Sequence, residues 1–392
     1  MKKRIAIVAP MKNKGGTELS LLQLLRSIPY ERYEITVFAF GEFCELKNEL
    51  PKGIKLHNIK GKPLGSSMKK AFIQGEFLIV LKNIRLALKK VVVRKFFPEK
   101  KFYLHSVLLE QYEKQEDNYD IAIAWALPSA IENVYVLENI RATRKAMWVH
   151  TDVSNDKPPR DAGKFYKKFD DIFCVSKACK ERFDGVFPEC SSKTKVFYNV
   201  IDKEQVRKDA TVPVEIENGI FKIITCGRLS SEKQPLMAIE IVKKLLKADL
   251  REFKWYFIGG GGNRENEMRE AIHRENLESH IILLGFQNNP VSYVEKADLY
   301  VQMSRHESFC LTLAEAQILG IPAVSTNFPS AYEIIKQGVT GYIVSNDVNE
   351  VFNAVQALMR DEKRLEEMKL ELKKNDFIPV GDPHQFMFWA DK

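Results

Sequence analysis

Apolar residues along this 392-residue chain fall in short runs, separated by stretches where they recur every three or four positions. Arg4–Ala9 is a β-branched run, followed by the loop PMKNKGGTE and a helical pattern through Leu19, Leu22, Leu24 and Leu25. Further strands are expected at Glu34–Ala39, Ile54–Ile59, Asp120–Trp125, Lys145–Val149, Asp171–Val175 and Lys195–Tyr198, with a helix at Lys177–Phe183. The polar stretch Lys203–Asn218 has no clear periodicity and marks the expected domain boundary. The series then restarts, with strands at Phe221–Cys226, Lys254–Ile258, Ile281–Gly285, Ala297–Met303, Pro322–Ser325 and Gly341–Val344. Helical patterns follow over Val348–Met359 and Glu362–Leu372. Strands that alternate with helices form parallel sheets. The pattern predicts two α/β domains, residues 1–200 and 201–375, and a segment 376–392 rich enough in aromatics to pack on one of them.

Composition agrees with two domains and adds a charge. A chain of this length suits two cores of roughly 180–200 residues each. Its net charge of +8 favours an anionic partner. The basic residues concentrate in Lys82–Lys101, within an expected amphipathic helix at about 68–101: Lys82, Arg85, Lys89, Lys90, Arg94, Lys95, Lys100 and Lys101 stand there against Glu99 alone. Such a helix suits an anionic membrane surface, and the alternative is a helix packed on the first domain with a solvated basic face. No recognition module accompanies the charge, so nucleic acid is not an expected partner. The six cysteines have no zinc spacing and read as buried free thiols of a reducing compartment. The apolar run in MKKRIAIVAP is too short for a signal peptide, and no run approaches the ~20 residues of a membrane-spanning helix. The expected location is the cytoplasm, with peripheral attachment to the inner face of the cell membrane if the basic helix binds lipid.

The chemistry centres on Ser304–Ile321, SRHESFCLTLAEAQILGI. A strand leads into it, and Leu311, Ala314, Ile318 and Leu319 carry a helical pattern out of it. Glu307 then lies in the strand-to-helix turn and Glu315 more than a turn into the helix. The amides of Phe309, Cys310, Leu311 and Thr312, after Ser308, fall at the helix start, where N–H groups lack intrahelical partners and the dipole favours an anion. Two carboxylates beside an anion cradle suit a ligand that is part diphosphate and part polyol, which is a nucleotide sugar; a solvated helix face is the bland alternative. In GRLSSEKQP, Arg228 is expected in the turn and Lys233 at the following helix start, where the two could neutralise a diphosphate. Strand, glycine loop and helix at the N-terminus open as a Rossmann-like lobe does, though without GxGxxG. Gly15 and Gly16 allow close backbone approach to a phosphate or sugar, as Gly260 does within Gly259–Gly262; ordinary turns are the other reading. His150 stands at the end of a parallel strand, where open α/β sheets bind ligands.

The spacing Glu307–x7–Glu315, together with Arg228 and Lys233, resembles the signature of the family-4 retaining glycosyltransferases (glycosyl transferases group 1), most closely over Ile223–Ile343. That resemblance implies the GT-B fold, two facing Rossmann-like domains with an inter-domain cleft and a C-terminal segment returning to the first domain. It implies a nucleotide-sugar donor, UDP- or GDP-linked, a glycan or lipid-linked acceptor, no metal and retention of configuration. By the same resemblance Gly15 and Gly16 face the donor, His150 approaches the transferred sugar and Phe286–Asn289 lies against the nucleobase. The family more often has glycine at the position of Cys310. Two other classes share parts of the pattern. A nucleotide-dependent oxidoreductase needs a glycine fingerprint that is missing here, and a non-catalytic two-lobed sugar-binding protein needs no diphosphate clamp.

Overall fold

The computed structural model describes residues 2–11, 15–40, 45–61, 77–153, 159–375 and 377–392; residues 68–76 of the expected basic helix, and Cys44, lie outside these. The chain divides into two compact units, Met1–Val200 with Gly381–Lys392, and Ile201–Val380.

The first unit is built on β1 (Lys3–Val8), β2 (Tyr33–Phe40), β3 (Lys55–Ile59), β4 (Asn118–Ala126), β5 (Arg141–Val149), β6 (Asp171–Cys174) and β7 (Thr194–Val196). All pair in parallel, in the order β3-β2-β1-β4-β5-β6-β7. Ile5, Ala6, Ile7 and Val8 are fully buried, because helices cover both faces of such a sheet and its strands read as continuous apolar runs. The helix Pro383–Asp391 belongs to this unit. Its Trp389 ring meets Phe173 and Trp148 edge-on at 5.0 and 5.6 Å, and its indole N–H donates to Asp171 Oδ2 at 2.9 Å.

The second unit carries β8 (Phe221–Cys226), β9 (Phe253–Ile258), β10 (Ile281–Gly285), β11 (Leu299–Gln302), β12 (Ala323–Thr326) and β13 (Gly341–Val344). Again all are parallel, in the order β10-β9-β8-β11-β12-β13. Both sheets therefore reverse direction once, beside β1 and β4 in the first and beside β8 and β11 in the second. Outside the carboxyl ends of two strands at such a reversal there is a crevice, which is where doubly wound sheets hold ligands.

One sequence expectation needs correcting. Lys203–Asn218 is not wholly aperiodic, since Lys203–Ala210 forms a helix whose N-terminus is capped by Asp202, which accepts from the Gln205 amide at 2.9 Å. That helix buries only Val206 and Ala210, too few positions to give a period.

Candidate functional site

The loops leaving β8 and β11 meet at the reversal of the second sheet. After β8, Gly227 adopts φ +148°, and a Cβ there would touch the Lys233 stem at 3.5 Å. Arg228 is exposed. The next helix begins only at Met237, so Lys233 is not at a helix start as expected but in the turn before it, its amide donating to Ser230 O at 3.1 Å. The β9 loop lies directly on this turn. A Cβ on Gly259 would come within 2.2 Å of Gly227 O, and one on Gly262 within 2.0 Å of Leu229 O, so these two positions demand glycine. Gly260 between them faces Glu265 Oε2, 3.1 Å from where its Cβ would stand.

The β11 loop is tied to the same turn by the Arg305 amide, which donates to Glu232 O at 2.8 Å. That bond brings Glu307 to Lys233, whose ammonium pairs with Glu307 Oε1. Burial alone would lower the Lys233 pKa; the Glu307 carboxylate outweighs it and raises the pKa above the ordinary value. Glu307 Oε1 also accepts from Ser304 Oγ at 2.7 Å.

Three residues on, the helix Leu311–Ile318 begins at Cys310, which holds the left-handed conformation at φ +78°. Glycine adopts that conformation without strain, which accounts for the glycine expected there. Burial pushes the Cys310 thiol up to about 12, so it is not a nucleophile at neutral pH. Phe309 and Cys310 are buried, and Ser308, Leu311 and Thr312 are half-buried. Among the described residues the amides of Cys310, Leu311 and Thr312 donate to no acceptor, as a helix start requires. Glu315 stands one turn further along, half-buried, with its carboxyl pushed up to about 7 by burial. Phe286, after β10, is 61% exposed.

In the first unit Gly15 is the N-cap of the helix Gly16–Arg26 and is extended, so its conformation does not by itself demand glycine; a Cβ there would meet Glu18 Oε2 at 2.9 Å. His150 follows β5 and packs on Trp125 with ring centroids 4.7 Å apart. Burial pulls its pKa down to about 3, which leaves a neutral imidazole at physiological pH.

The second-unit site thus offers two cations, three free amides and two carboxylates on a cluster of loops and the helix Leu311–Ile318 that follows it, an arrangement that can take an anionic group and several hydroxyls together. Sequence reasoning missed the buried polar side chains beneath it, Tyr300, Gln302 and Ser304. Their signal was the alternation LYVQMS, in which every second residue is polar.

Comparison with known proteins sets this geometry in context. Residues 207–375 match the model of the family Glycosyl transferases group 1. A Campylobacter jejuni N-acetylgalactosamine-N,N'-diacetylbacillosaminyl-diphospho-undecaprenol 4-alpha-N-acetylgalactosaminyltransferase is 30% identical over 200 residues, 50% of this chain and 53% of that one. An Escherichia coli UDP-Gal:alpha-D-GlcNAc-diphosphoundecaprenol alpha-1,3-galactosyltransferase is 26% identical over 37% of this chain and 38% of its own. The chain thus spans about half or less of the curated relatives it matches. Among solved structures, Anabaena Alr3699/HepE in complex with UDP superposes with a TM-score of 0.69 at 16% identity, covering 99% of both chains. Staphylococcus aureus TarM does so at 0.68 and 13%, covering 100% of this chain and 98% of that one. The likeness to solved structures establishes the fold, two parallel-sheet α/β domains as in GT-B glycosyltransferases. The stretch that matches the group 1 model, residues 207–375, contains all six strands of the second unit.

Proposed function

We propose that this chain is a retaining, metal-independent glycosyltransferase of the hexosyltransferase type. It would move a sugar from a UDP- or GDP-linked donor to a glycan or lipid-linked acceptor, in the synthesis of bacterial cell-surface polysaccharide. The observation that carries this reading is the Lys233–Glu307 pair beside the free amides of Cys310, Leu311 and Thr312. The names of the Campylobacter and E. coli relatives, both transferases on undecaprenol-diphosphate-linked sugars, support the acceptor class.

In this reading Glu315 receives the ribose hydroxyls and Phe286 the nucleobase. Arg228, Lys233 and the amides that follow Ser308 hold the diphosphate, and Glu307 receives hydroxyls of the sugar. An acceptor hydroxyl attacks the anomeric carbon as the bond from that carbon to the phosphate oxygen breaks. The electron pair leaves with the phosphate, and the hydroxyl proton passes to a phosphate oxygen on the same face of the sugar, so configuration is kept. Negative charge grows on the leaving diphosphate, so cations and amides already in place stabilise the transition state more than the bound donor. Gly15, Gly16 and Gly260 are proposed to give close backbone approach to the substrates, and His150 to act as a neutral hydrogen-bonding group.

The helix Phe77–Phe96 supports attachment to an anionic membrane. Leu81, Leu88, Val91 and Phe96 are each more than 60% exposed and share its outer side with Arg94 and Lys95, also exposed. Apolar residues flanked by cations suit the boundary between headgroups and acyl chains.

Incubation with UDP-, GDP- and ADP-sugars, with and without EDTA, tests the function. Nucleotide release is expected from a UDP- or GDP-sugar, insensitive to EDTA. Arg228→Ala and Lys233→Ala should each reduce kcat by ~10²–10³-fold, the usual loss for one preorganised donor. Activity abolished by EDTA and restored by magnesium would overturn the metal-free account. Release from none of these donors would overturn the function.

A further inference from the structure

Strand β11 and the residue pair after it present two unlike faces. Leu299, Val301 and Met303 enter the apolar core. Tyr300, Gln302 and Ser304 point the other way, and all three are buried, with 0%, 1% and 1% of their surface exposed. Buried polar side chains survive only when hydrogen-bonded, so where their bonds go is informative.

They form a single chain that ends on Glu307. Tyr300 Oη donates to Gln302 Oε1 at 2.9 Å, and Gln302 Nε2 donates to Ser304 Oγ at 2.7 Å. Ser304 has one hydroxyl proton, and it goes to Glu307 Oε1 at 2.7 Å. The Gln302 amide nitrogen also faces that carboxylate oxygen, at 3.5 Å. A carboxylate accepts and cannot donate, which fixes the amide with nitrogen towards Glu307 and oxygen towards Tyr300. At its far end the chain reaches the helix start, where Tyr300 Oη is hydrogen-bonded to Thr312 Oγ1 at 2.9 Å. The backbone is pinned as well, since Thr326 Oγ1 donates to Ser304 O at 2.6 Å. With Lys233 added, every hydrogen bond that Glu307's carboxylate receives from a described residue falls on Oε1. Oε2 receives none.

We propose that Tyr300, Gln302 and Ser304 are positioning residues that saturate one oxygen of Glu307, present the other alone to the sugar, and hold it in fixed register with Thr312 at the diphosphate end of the site. This rests on the glycosyltransferase reading and adds the group that orients its carboxylate. An unsupported glutamate would rotate about its side-chain torsions, and a misplacement of about 1 Å in a reacting array costs on the order of 10²-fold in rate.

The test is a double-mutant cycle on nucleotide release from the accepted nucleotide sugar. Ser304→Ala should lower kcat by ~10–100-fold, while donor KM and the affinity for free nucleoside diphosphate change by less than about threefold. Ser304→Thr, which keeps the hydroxyl, should restore most of the rate. In a Glu307→Ala background, Ser304→Ala should have no further effect, because the residue it serves is gone. If Ser304→Ala loses nucleotide binding altogether, Gln302→Met replaces it in the same cycle. Losses that multiply in the double variant, or a Ser304→Thr enzyme as slow as Ser304→Ala, would overturn the positioning role and leave the function standing. A wild-type protein that acts on no nucleotide sugar would overturn both.

Discussion

At Glu315 a raised carboxyl pKa coincides with a proposed contact. Burial holds its carboxyl near 7 rather than the ordinary 4.5, so the folded protein prefers it protonated. A raised pKa contributes stability that is fully present below pH 4.5 and is lost as pH climbs through about 7. Relative to Glu315→Gln, the wild type should therefore lose stability over that range, read from urea unfolding at a series of pH values. Ribose hydroxyls donate to the ionised form, so nucleotide affinity should move the other way, strengthening between pH 6 and 8 in the wild type and staying flat in Glu315→Gln; calorimetry would show it. A flat wild-type profile would remove Glu315 from the ribose. At this scale the two glutamates were legible because their spacing around an apolar helix is distinctive. Gln302 and Ser304 were not, because a short strand with alternating polarity looks the same whether its polar side meets solvent or a buried carboxylate. Cys310 shows the reverse case, its departure from glycine being visible in the sequence and its left-handed backbone only in the fold.

Among the elements, strands were the easiest to foresee, since a parallel strand covered on both faces is an apolar run with little ambiguity. Phe221–Cys226 and Gly341–Val344 have the expected bounds. Helices with few buried positions, such as Lys203–Ala210, left no such trace. The basic helix was foreseen as basic and apolar, but the sequence could not say which cations are engaged. Lys89 donates to Glu110 Oε1 at 2.8 Å and Lys90 to Gln111 Oε1 at 3.3 Å, so both help fasten the helix to its neighbour, while Leu86 and Val93 pack beneath. The informative changes are therefore on the outer side. Leu88→Ser with Val91→Ser should abolish sedimentation with vesicles containing anionic lipid without lowering the melting temperature. Arg94→Glu with Lys95→Glu should weaken it by ~1 kcal/mol for each lost cation, and by less in high salt. Wild-type protein that ignores such vesicles at low salt would make this helix a packing element only.

At the scale of the whole molecule, the first unit is assembled from two separated parts of the sequence. Residues 381–392 complete a core begun by residues 1–200. Their aromatic content was visible beforehand, but where they dock depends on contacts across nearly the whole chain, which no local pattern encodes. Arg144 donates to the Trp389 carbonyl at 2.9 Å and its guanidinium lies 4.7 Å from the Trp389 ring centre, adding to the contacts with Asp171, Phe173 and Trp148. Trp389→Ala should cost about 3–5 kcal/mol, as for a large buried aromatic. Scanning calorimetry should find that loss in the first unit and little change in residues 201–380. A uniform shift of both units, or none, would count against this division.

The same arrangement has a consequence for biosynthesis. Domains ordinarily fold in the order they leave the ribosome. Here the N-terminal 200 residues must wait for the helix that carries Phe386 and Trp389, and 180 residues of the second unit are translated in between. At about 5–20 residues per second that delay is roughly 10–40 s. Throughout it Trp148, Phe173 and Phe197 lack the aromatic partners that later close over them. The nascent chain therefore carries an uncovered aromatic patch over that interval, apolar surface of the kind that makes incompletely folded chains prone to aggregate.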